Sequence, residues 1–321
     1  MDSLFNSVDC HGLRPRNDVA IYDIIIKKDI IMRKSILLLT LFSLSLFTAC
    51  AKGKSQAASS KTAAEASAAQ TKASVQPVQE PARLDPEVEK LNRVLMSMTD
   101  RCKEAIPNGD PVEFLADLHK VLEVEKAFPA DDLSLYYLID KTHKVGADYE
   151  PKHLKKLVAN DDYIINKTTL SLRQDAADAL AEMGRAAKKD GVTLDVSSTY
   201  RSYETQERTF NYWVSVDGLE EAERESARPG TSQHQLGAAV DFGNIEDSYA
   251  LTDGCKWLNQ HSQEYGWSLS FPQGYEDITG YRWECWHFRY IGIEACKFQK
   301  KWFSDIQQFM FEFIDAWKRM E

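Results

Sequence analysis

The sequence predicts an α+β fold in which a small antiparallel sheet is flanked by helices, with a helical segment before it and a helix after it. Two patterns support this prediction. Long segments repeat apolar residues at the spacing of one helix face, and short apolar or alternating segments are separated from them by glycine and proline. A chain of 321 residues with 43% hydrophobic content can bury one good core with appendages, rather than two large domains.

Residues 32–49 have the composition of a bacterial secretory signal peptide. A short cationic start precedes an apolar run, Ile36–Phe47, and small residues follow before Cys50. The run is well short of the roughly twenty residues that span a bilayer. Phe47-Thr48-Ala49-Cys50 resembles a lipoprotein cleavage box, which predicts a lipid on Cys50 and a membrane-anchored location on the periplasmic side of the cell envelope. An ordinary signal peptide and a buried hydrophobic helix are the alternatives.

The segments on either side of this signal have different interpretations. Because a signal peptide normally opens a chain, we interpret residues 1–31 as an upstream over-extension of the reading frame, with Met32 as the start. Residues 50–85 are rich in Ala, Ser, Lys, Gln and Thr and poor in aromatic and branched residues. Such a composition does not offset the entropy of ordering the chain, so a disordered tether is expected.

Residues 86–132 are predicted to form a helical prefix. A first helix is expected over Pro86–Asp100. A second begins at Asp110-Pro111-Val112-Glu113, which places a capping residue, a first-turn proline and an acidic residue in the order typical of a helix start. The apolar residues that follow have helical spacing and indicate packing.

A domain over residues 133–321 supplies the predicted sheet and its helices. It opens with an apolar segment compatible with a strand, Leu133–Ile139, followed by a helix over Ser171–Lys189 that Gly191 ends. Val192, Leu194 and Val196 then alternate as in a half-buried strand, which delivers Arg201 to the rim of the sheet.

The rest of the domain continues this pattern as far as a final amphipathic helix. Helices are expected at Tyr203–Val216, in the acidic run Glu220–Glu225 and at Gly254–Tyr265; strands are expected at Ala238–Phe242, Trp267–Phe271 and Trp286–Ile291. In the last helix, which we expect Ser304 to cap, one face carries Ile306, Phe309, Met310, Phe313, Ile314 and Trp317. This wide apolar stripe is expected to pack on the domain, with membrane or partner contact as the alternative.

Charge and cysteine content limit the possible partners. The net charge of −10 argues against nucleic acid, because phosphate binding depends on clustered Lys and Arg. With Cys10 upstream of the signal and Cys50 lipidated, four cysteines remain in an oxidising compartment, which allows three complete pairings or four buried free thiols. These are Cys102, Cys255, Cys285 and Cys296.

Two separate segments carry the residue types of a catalytic zinc site. His234 and Asp241 lie seven residues apart across Gly237, and Glu284 and His287 lie three apart. In a straight strand that last pair would point to opposite faces, so the chain there must turn, bulge or end a strand if both residues serve one site. Three protein ligands leave a metal position open for hydrolysis, while a carboxylate off the metal can accept a proton.

These residues resemble the zinc D-alanyl-D-alanine carboxypeptidases of peptidoglycan metabolism, a family that includes VanY carboxypeptidases, VanX-type dipeptidases and L,D-carboxypeptidases. The motifs are Tyr200-Arg201-Ser202, Ser232-x-His-x-x-Gly-x-Ala-x-Asp241 and Glu284-x-Trp-His287. The resemblance covers roughly residues 133–298. It implies one Zn²⁺ bound by His234, Asp241 and His287, Glu284 as catalytic base, and substrate contacts from Arg201, Gln206 and Ser232.

The activity that this resemblance implies is removal of a C-terminal D-alanine from a peptidoglycan stem peptide by metal-activated water. Two alternatives stay open: an endopeptidase that cuts cross-links, and a non-catalytic envelope-binding module whose structural zinc has a fourth protein ligand such as Cys285. Two departures from the family pattern border the expected cleft. Cys285 stands where many members have Pro, and Ser270-Phe271-Pro272 replaces a more common Arg-Tyr-Pro.

Overall fold

The computed structural model describes residues 85–107 and 109–320. The over-extension at 1–31, the signal peptide at 32–49, the lipidation site Cys50 and nearly all of the tether at 50–85 lie outside the described residues, so these predictions stay predictions. Among the described helices, none is both long enough and apolar enough to cross a bilayer.

The domain is organised around a sheet of mostly antiparallel strands, as predicted. The strands in the described residues are β1 Leu154–Lys156, β2 Ile164–Ile165, β3 Ser171–Arg173, β4 Asp195–Ser198, β5 Ala239–Phe242, β6 Trp267–Leu269 and β7 His287–Tyr290, of which β1 and β3 form a separate antiparallel pair. The other five form one sheet in the order β2-β4-β5-β7-β6, and β5 is buried along its whole length. The short edge strand β2 runs parallel to β4, which differs from the predicted antiparallel sheet.

Helices surround this sheet, which confirms the predicted α+β class. The helix expected over Ser171–Lys189 begins later, at Gln174, because its first three residues pair with β1 instead. The helices are α1 Pro86–Ser97, α2 Asp100–Ala105, α3 Pro111–Glu125, α4 Gln174–Lys189, α5 Tyr203–Asp217, α6 Leu219–Glu225, α7 Asp253–His261, α8 Glu276–Thr279, α9 Ile293–Trp302 and α10 Gln307–Arg319, with 3-10 turns at Gln233–Leu236, Asp247–Leu251 and Ser262–Tyr265.

The strand predicted at Leu133–Ile139 is wrong, because this segment is irregular. Its backbone carbonyls bond to arginine side chains rather than to a neighbouring strand. Arg173 donates to the carbonyl of Leu133 at 2.6 Å, and Arg289 donates to the carbonyls of Leu135 and Tyr137 at 2.7 and 2.9 Å. Two buried arginine side chains therefore hold the segment in place.

The helical prefix shares one apolar core with the last two helices. Asp110 caps α3 as expected, accepting from the Val112 amide at 2.9 Å. Phe114 of α3 makes edge-to-face or tilted contacts with Phe298 and Trp302 of α9 and with Phe313 of α10, at ring-centre distances of 5.0 to 5.2 Å. The predicted apolar stripe of α10 is buried in this core. The prefix therefore covers the face that the last helix would otherwise expose.

The start of the last helix also differs from the prediction. Ser304 was expected as its cap, but α10 begins at Gln307 and has no side-chain cap. Ser304 has a positive φ of 50° and donates to the carbonyl of Ala105 at 2.6 Å. Its hydroxyl thus bonds to the end of α2, and a tight turn between α9 and α10 takes the place of the expected helical turn.

Candidate metal centre

The strands and one 3-10 turn bring the three predicted ligands to one end of the sheet. Asp241 of β5 is the direct register partner of His287 of β7. His234 lies in the 3-10 turn Gln233–Leu236, where the Ser232 side chain accepts from the His234 amide and Gly237 adopts a left-handed φ of 68°. The turn and the following strand therefore aim His234 and Asp241 at the same point, as the spacing suggested.

The ligand atoms are close enough to share one ion. His234 Nε2 lies 3.1 Å from Asp241 Oδ2, and His287 Nδ1 lies 3.0 Å from Asp241 Oδ1. One ligand atom from each of the three buried residues falls within 4.8 Å of the others. Asp241 Oδ1 is buried and accepts no hydrogen bond within the described structure, despite its proximity to His287. Buried polar atoms normally have a hydrogen-bond partner, so a buried carboxylate oxygen without one is better explained as a ligand of a metal ion.

Each histidine has its other ring nitrogen bound to an oxygen atom. His234 Nδ1 lies 2.7 Å from the carbonyl oxygen of Thr199, which can only accept, so Nδ1 carries the proton. His287 Nε2 lies 3.2 Å from Oε1 of Gln233. These contacts leave the lone pairs of His234 Nε2 and His287 Nδ1 facing Asp241, an arrangement typical of metal-binding histidines. The donor set of two nitrogens and one carboxylate suits zinc.

The electrostatics of the pair His234 and Asp241 favour the charge states that bind a cation. Burial lowers the pKa of His234 to about 4, so its imidazole is neutral near pH 7. Burial by itself would raise the pKa of Asp241, but the adjacent imidazoles of His234 and His287 hold that pKa well below its usual value. A neutral imidazole beside an ionised carboxylate is the state that ligands must have.

Glu284 lies beside the cluster without belonging to it. Its Oε2 is 3.5 Å from His287 Nδ1, and burial raises its pKa well above the usual range, with the charge of Asp241 adding to that effect. A turn at Cys285-Trp286 separates Glu284 from the strand that carries His287. The chain therefore turns between the two residues, as their spacing required.

Arg201 is held in place by several groups at the edge of the cluster. It donates to Ser198 Oγ at 2.9 Å and to Gln206 Oε1 at 2.8 Å, and its guanidinium lies 3.7 Å from Asp241 Oδ2. Gln206 in turn donates to the carbonyl of Ala227 at 2.6 Å. Burial lowers the pKa of Arg201, which stays a cation because arginine titrates so high. The predicted contact of Gln206 with substrate stays a prediction, and in the structure its amide oxygen orients Arg201.

Apart from the lipidation site Cys50, seven site residues were predicted, and all seven line one cavity of about 410 Å³. Its walls extend beyond the cluster to α5, which contributes Thr205, Thr209 and Trp213 at successive helical turns. Lys167 and Ile245 also line it. The cavity is large enough for several residues of a peptide, and the cluster lies within it.

Cys285 does not act as a fourth ligand in the described structure. Its thiol lies 3.9 Å from the carbonyl of Glu246, and the thiol of Cys255 lies 3.6 Å from the Cys285 carbonyl. The cluster identified among the described residues contains His234, Asp241 and His287 alone. Cys102, Cys255, Cys285 and Cys296 are all buried and unpaired, which agrees with the free-thiol alternative.

The sequence interpretation missed Gln233 and Ser198. Gln233 contacts His287 and Ser198 contacts Arg201, so each holds a proposed functional side chain. Gln233 lies within a quoted motif and Ser198 lies two residues before another, and this position was the available clue. Their roles depend on side-chain geometry across strands, which spacing alone does not reveal.

The chain is similar to several proteins described as D-alanyl-D-alanine carboxypeptidases. A family model described as the VanY D-alanyl-D-alanine carboxypeptidase matches residues 169–293. A bifunctional D-Ala-D-Ala dipeptidase and D-Ala-D-Ala carboxypeptidase, VanXYC of Enterococcus gallinarum, is 30% identical over 166 residues, which are 49% of this chain and 83% of that protein. A D-alanyl-D-alanine carboxypeptidase of Enterococcus faecalis is 38% identical over 125 residues, 36% of this chain and 47% of that protein.

The chain spans about half to three fifths of the length of two curated relatives, the Enterococcus faecalis carboxypeptidase and YodJ. YodJ of Bacillus subtilis is 34% identical over 168 residues, 50% of this chain and 61% of that protein. Among solved structures, the LD-carboxypeptidase LdcB has 32% identity and a TM-score of 0.49, over 56% of this chain and 85% of that one. A VanY D,D-pentapeptidase from a VanB-type resistance cassette, solved with Zn(II), has 30% identity and a TM-score of 0.42, over 50% of this chain and 89% of that one.

Proposed function

The chain belongs to the family of the VanY D-alanyl-D-alanine carboxypeptidases, and from that premise we propose that it is a zinc-dependent carboxypeptidase of peptidoglycan. Its reaction is removal of a C-terminal D-alanine from a stem peptide by hydrolysis of the terminal amide. The observation that carries this proposal is the cluster of His234, Asp241 and His287, with the carboxyl group of Glu284 3.5 Å from one ligand and outside the cluster.

His234, Asp241 and His287 would hold the zinc ion. A zinc ion bound by three protein ligands supplies an open coordination position and a positive charge that acidifies water and polarises a carbonyl. The remaining steps belong to the side chains of this protein. Glu284 accepts a proton from the attacking water and returns it to the leaving amine. Its buried position beside His287 keeps that proton within the cavity.

Arg201 provides fixed positive charge for the reaction. Ser198 and Gln206 both accept from its guanidinium, so the charge is oriented before substrate arrives. It stabilises negative charge that develops on the carbonyl oxygen, or binds a carbonyl of the substrate, an interaction worth roughly 3 kcal/mol in the transition state. Ser232 and Gln206 line the same cavity and are proposed to bind the terminal carboxylate of the leaving D-alanine.

The location proposed for this activity is the periplasmic side of the cell envelope. The composition of residues 32–49 and the cysteine at position 50 support export and a lipid anchor. With an anchored chain, the tether at 50–85 would give the domain reach toward the cell wall. Metabolic labelling with a fatty-acid analogue, compared between the wild-type chain and Cys50→Ser, tests the anchor.

Digestion of purified muropeptides by the zinc-loaded protein tests the function. Mass spectrometry is expected to show loss of one alanine from monomeric stems, and parallel digests of pentapeptides and tetrapeptides separate D,D from L,D cleavage. Conversion of cross-linked dimers into monomers would instead establish the endopeptidase alternative. Zinc binding with no change in any muropeptide would favour the envelope-binding module. His234→Ala is the matched control, because it removes a ligand and leaves the cavity otherwise intact.

A further inference from the structure

A chain of buried amide groups connects His287 to the last helix. Gln233 Oε1 lies 3.2 Å from His287 Nε2, and Gln233 Nε2 donates to Oε1 of Gln307 at 3.4 Å. Gln307 Nε2 donates to the backbone carbonyl of Ser268 at 3.3 Å. Gln307 is the first residue of α10 and is 1% exposed. It lies beyond residues 169–293, to which the family model is matched.

The far end of this chain has a fixed polarity. The carbonyl oxygen of Ser268 can only accept a hydrogen bond, so the amide nitrogen of Gln307 must face it and the amide oxygen must face the other way. That oxygen accepts from Gln233 Nε2, which directs Gln233 Oε1 toward His287. An amide oxygen opposite His287 Nε2 requires a proton on Nε2. The lone pair of His287 is then on Nδ1, the atom that lies 3.0 Å from Asp241.

The opposite orientation of Gln233 would disable this ligand. With the amide nitrogen toward His287, Nε2 would have to accept and the ring proton would move to Nδ1, where Asp241 Oδ1 is placed to receive it. Ser270 Oγ lies 2.7 Å from Gln233 Oε1 and 3.2 Å from Gln307 Oε1. A hydroxyl both donates and accepts, so it tolerates either orientation and does not decide between them.

We infer that Gln307 is a positioning residue, which fixes the amide of Gln233 and thereby keeps the lone pair of His287 Nδ1 available to the metal. This inference rests on the proposed zinc site. The partners of ligating histidines typically contribute 10- to 100-fold to metal affinity. Gln307 acts one residue further out, through Gln233, so its effect should disappear when Gln233 is already gone.

Zinc affinity of the purified protein, measured by competition with a chelator, tests this dependence. Gln307→Met keeps the size and helix propensity of the side chain but removes its hydrogen bonds to Gln233, Ser268 and Ser270, and is expected to weaken zinc binding about tenfold. In a Gln233→Met background the same change is expected to have less than about a twofold effect. Equal losses in both backgrounds, or no loss in the wild-type background, would overturn the inference.

The proton position on His287 gives a second readout that needs no metal. Long-range ¹H–¹⁵N correlation spectra of the metal-free protein are expected to show the proton on Nε2 in the wild type and on Nδ1, at least in part, in Gln307→Met. Gln307→Glu offers the contrasting case. Its carboxyl group, ionised or protonated, still offers an oxygen that accepts from Gln233, so the wild-type proton position should persist. We call the path from Gln307 through Gln233 to His287 the relay. A shift of the proton in both variants would indicate general loosening of α10 and refute the relay.

Gln308→Met is the matched control on the same helix. Its amide contacts Asp140 at 3.0 Å and Glu312 at 3.0 Å and has no bond to the relay in the described structure. The zinc affinity and the His287 proton should be unchanged in it. A protein that binds zinc with this dependence but leaves muropeptides intact would refute the carboxypeptidase and retain the relay. A wild-type protein that binds no zinc would refute both.

Discussion

Asp241 and His287 face each other as direct partners in the antiparallel pairing of β5 with β7. Directly opposed side chains on one face of such a pair have Cβ atoms about 5 Å apart. Strand register therefore brings these two proposed ligands together, and a slip by one residue would turn Asp241 to the other face.

Substitution of Glu284 and of His234 should have different effects on metal and on activity. Glu284→Ala removes the proposed proton acceptor from outside the cluster, so zinc binding should persist while kcat falls by a factor of roughly 10² to 10⁴. His234→Ala removes a ligand, so zinc and activity should both be lost. Bound zinc can be measured by elemental analysis of dialysed protein. Loss of zinc from the Glu284 variant would reassign that residue as a ligand.

Arg201→Lys should lower kcat although it keeps the charge. Lysine cannot reproduce the forked contacts with Ser198 and Gln206, so the cation is no longer fixed beside Asp241. We expect kcat to fall by about 10² with a smaller change in KM, as for loss of a preorganised donor. Steady-state kinetics on a synthetic stem peptide would measure both. A rise in KM at unchanged kcat would show that Arg201 contributes ground-state binding only.

Leu118→Ala should destabilise the whole domain if the prefix is part of it. Leu118 of α3 is fully buried in the core shared with α9 and α10, so the change should cost about 2–5 kcal/mol in the free energy of unfolding. Val112 of the same helix is 66% exposed, and Val112→Ala should cost less than about 0.5 kcal/mol. Urea denaturation followed by tryptophan fluorescence compares them. A separate, earlier transition in the Leu118 variant would indicate an independent prefix.

The partly buried amine of Lys141 should make the free energy of unfolding increase with pH in the alkaline range. Burial lowers its pKa from 10.5 to about 8, against the opposing charge of Glu223, while Arg228 lowers it further and Glu284 and Glu276 raise it. Between those values the unfolded chain binds a proton that the folded chain does not, so folded stability rises with pH through this window. From pH 7.5 to 9.5 the wild type should gain roughly 1–2 kcal/mol relative to Lys141→Met.

Denaturation at the two pH values measures that gain. Lys141→Met keeps the apolar stem that packs near Tyr281, whose ring centre lies 3.7 Å from the Lys141 amine. Lys256→Met is the matched control, because the Lys256 side chain is 59% exposed. Parallel pH profiles of the wild type and Lys141→Met would contradict the prediction.

The sequence was informative where local chemistry decides the structure. The Asp110-Pro111 start of α3, the apolar face of α10 and the turn after Glu284 were all predictable, because capping, periodicity and face alternation act over a few residues. Leu133–Ile139 was predicted as a strand from its apolar composition. Its conformation is set by Arg173 and Arg289, which are 40 and more than 150 positions away in the chain.

In the candidate site, too, local motifs were predictable from the sequence and long-range contacts were not. His234, Asp241, Glu284 and His287 were predicted from paired motifs and lie together in one cavity. Gln307 could not be found that way, because it contacts Gln233 from 74 positions downstream and has no motif of its own. Long-range hydrogen bonds between amides depend on how α10 packs, and that packing depends in turn on the prefix.

The order of the ligands along the chain has a consequence for biosynthesis. During synthesis His234 and Asp241 leave the ribosome well before His287, and Gln307 follows later still. A nascent chain therefore offers an ion two side chains at first and a third only when the partner strand has emerged. The complete arrangement of the proposed zinc site can therefore form only late in synthesis, after residue 307 has left the ribosome.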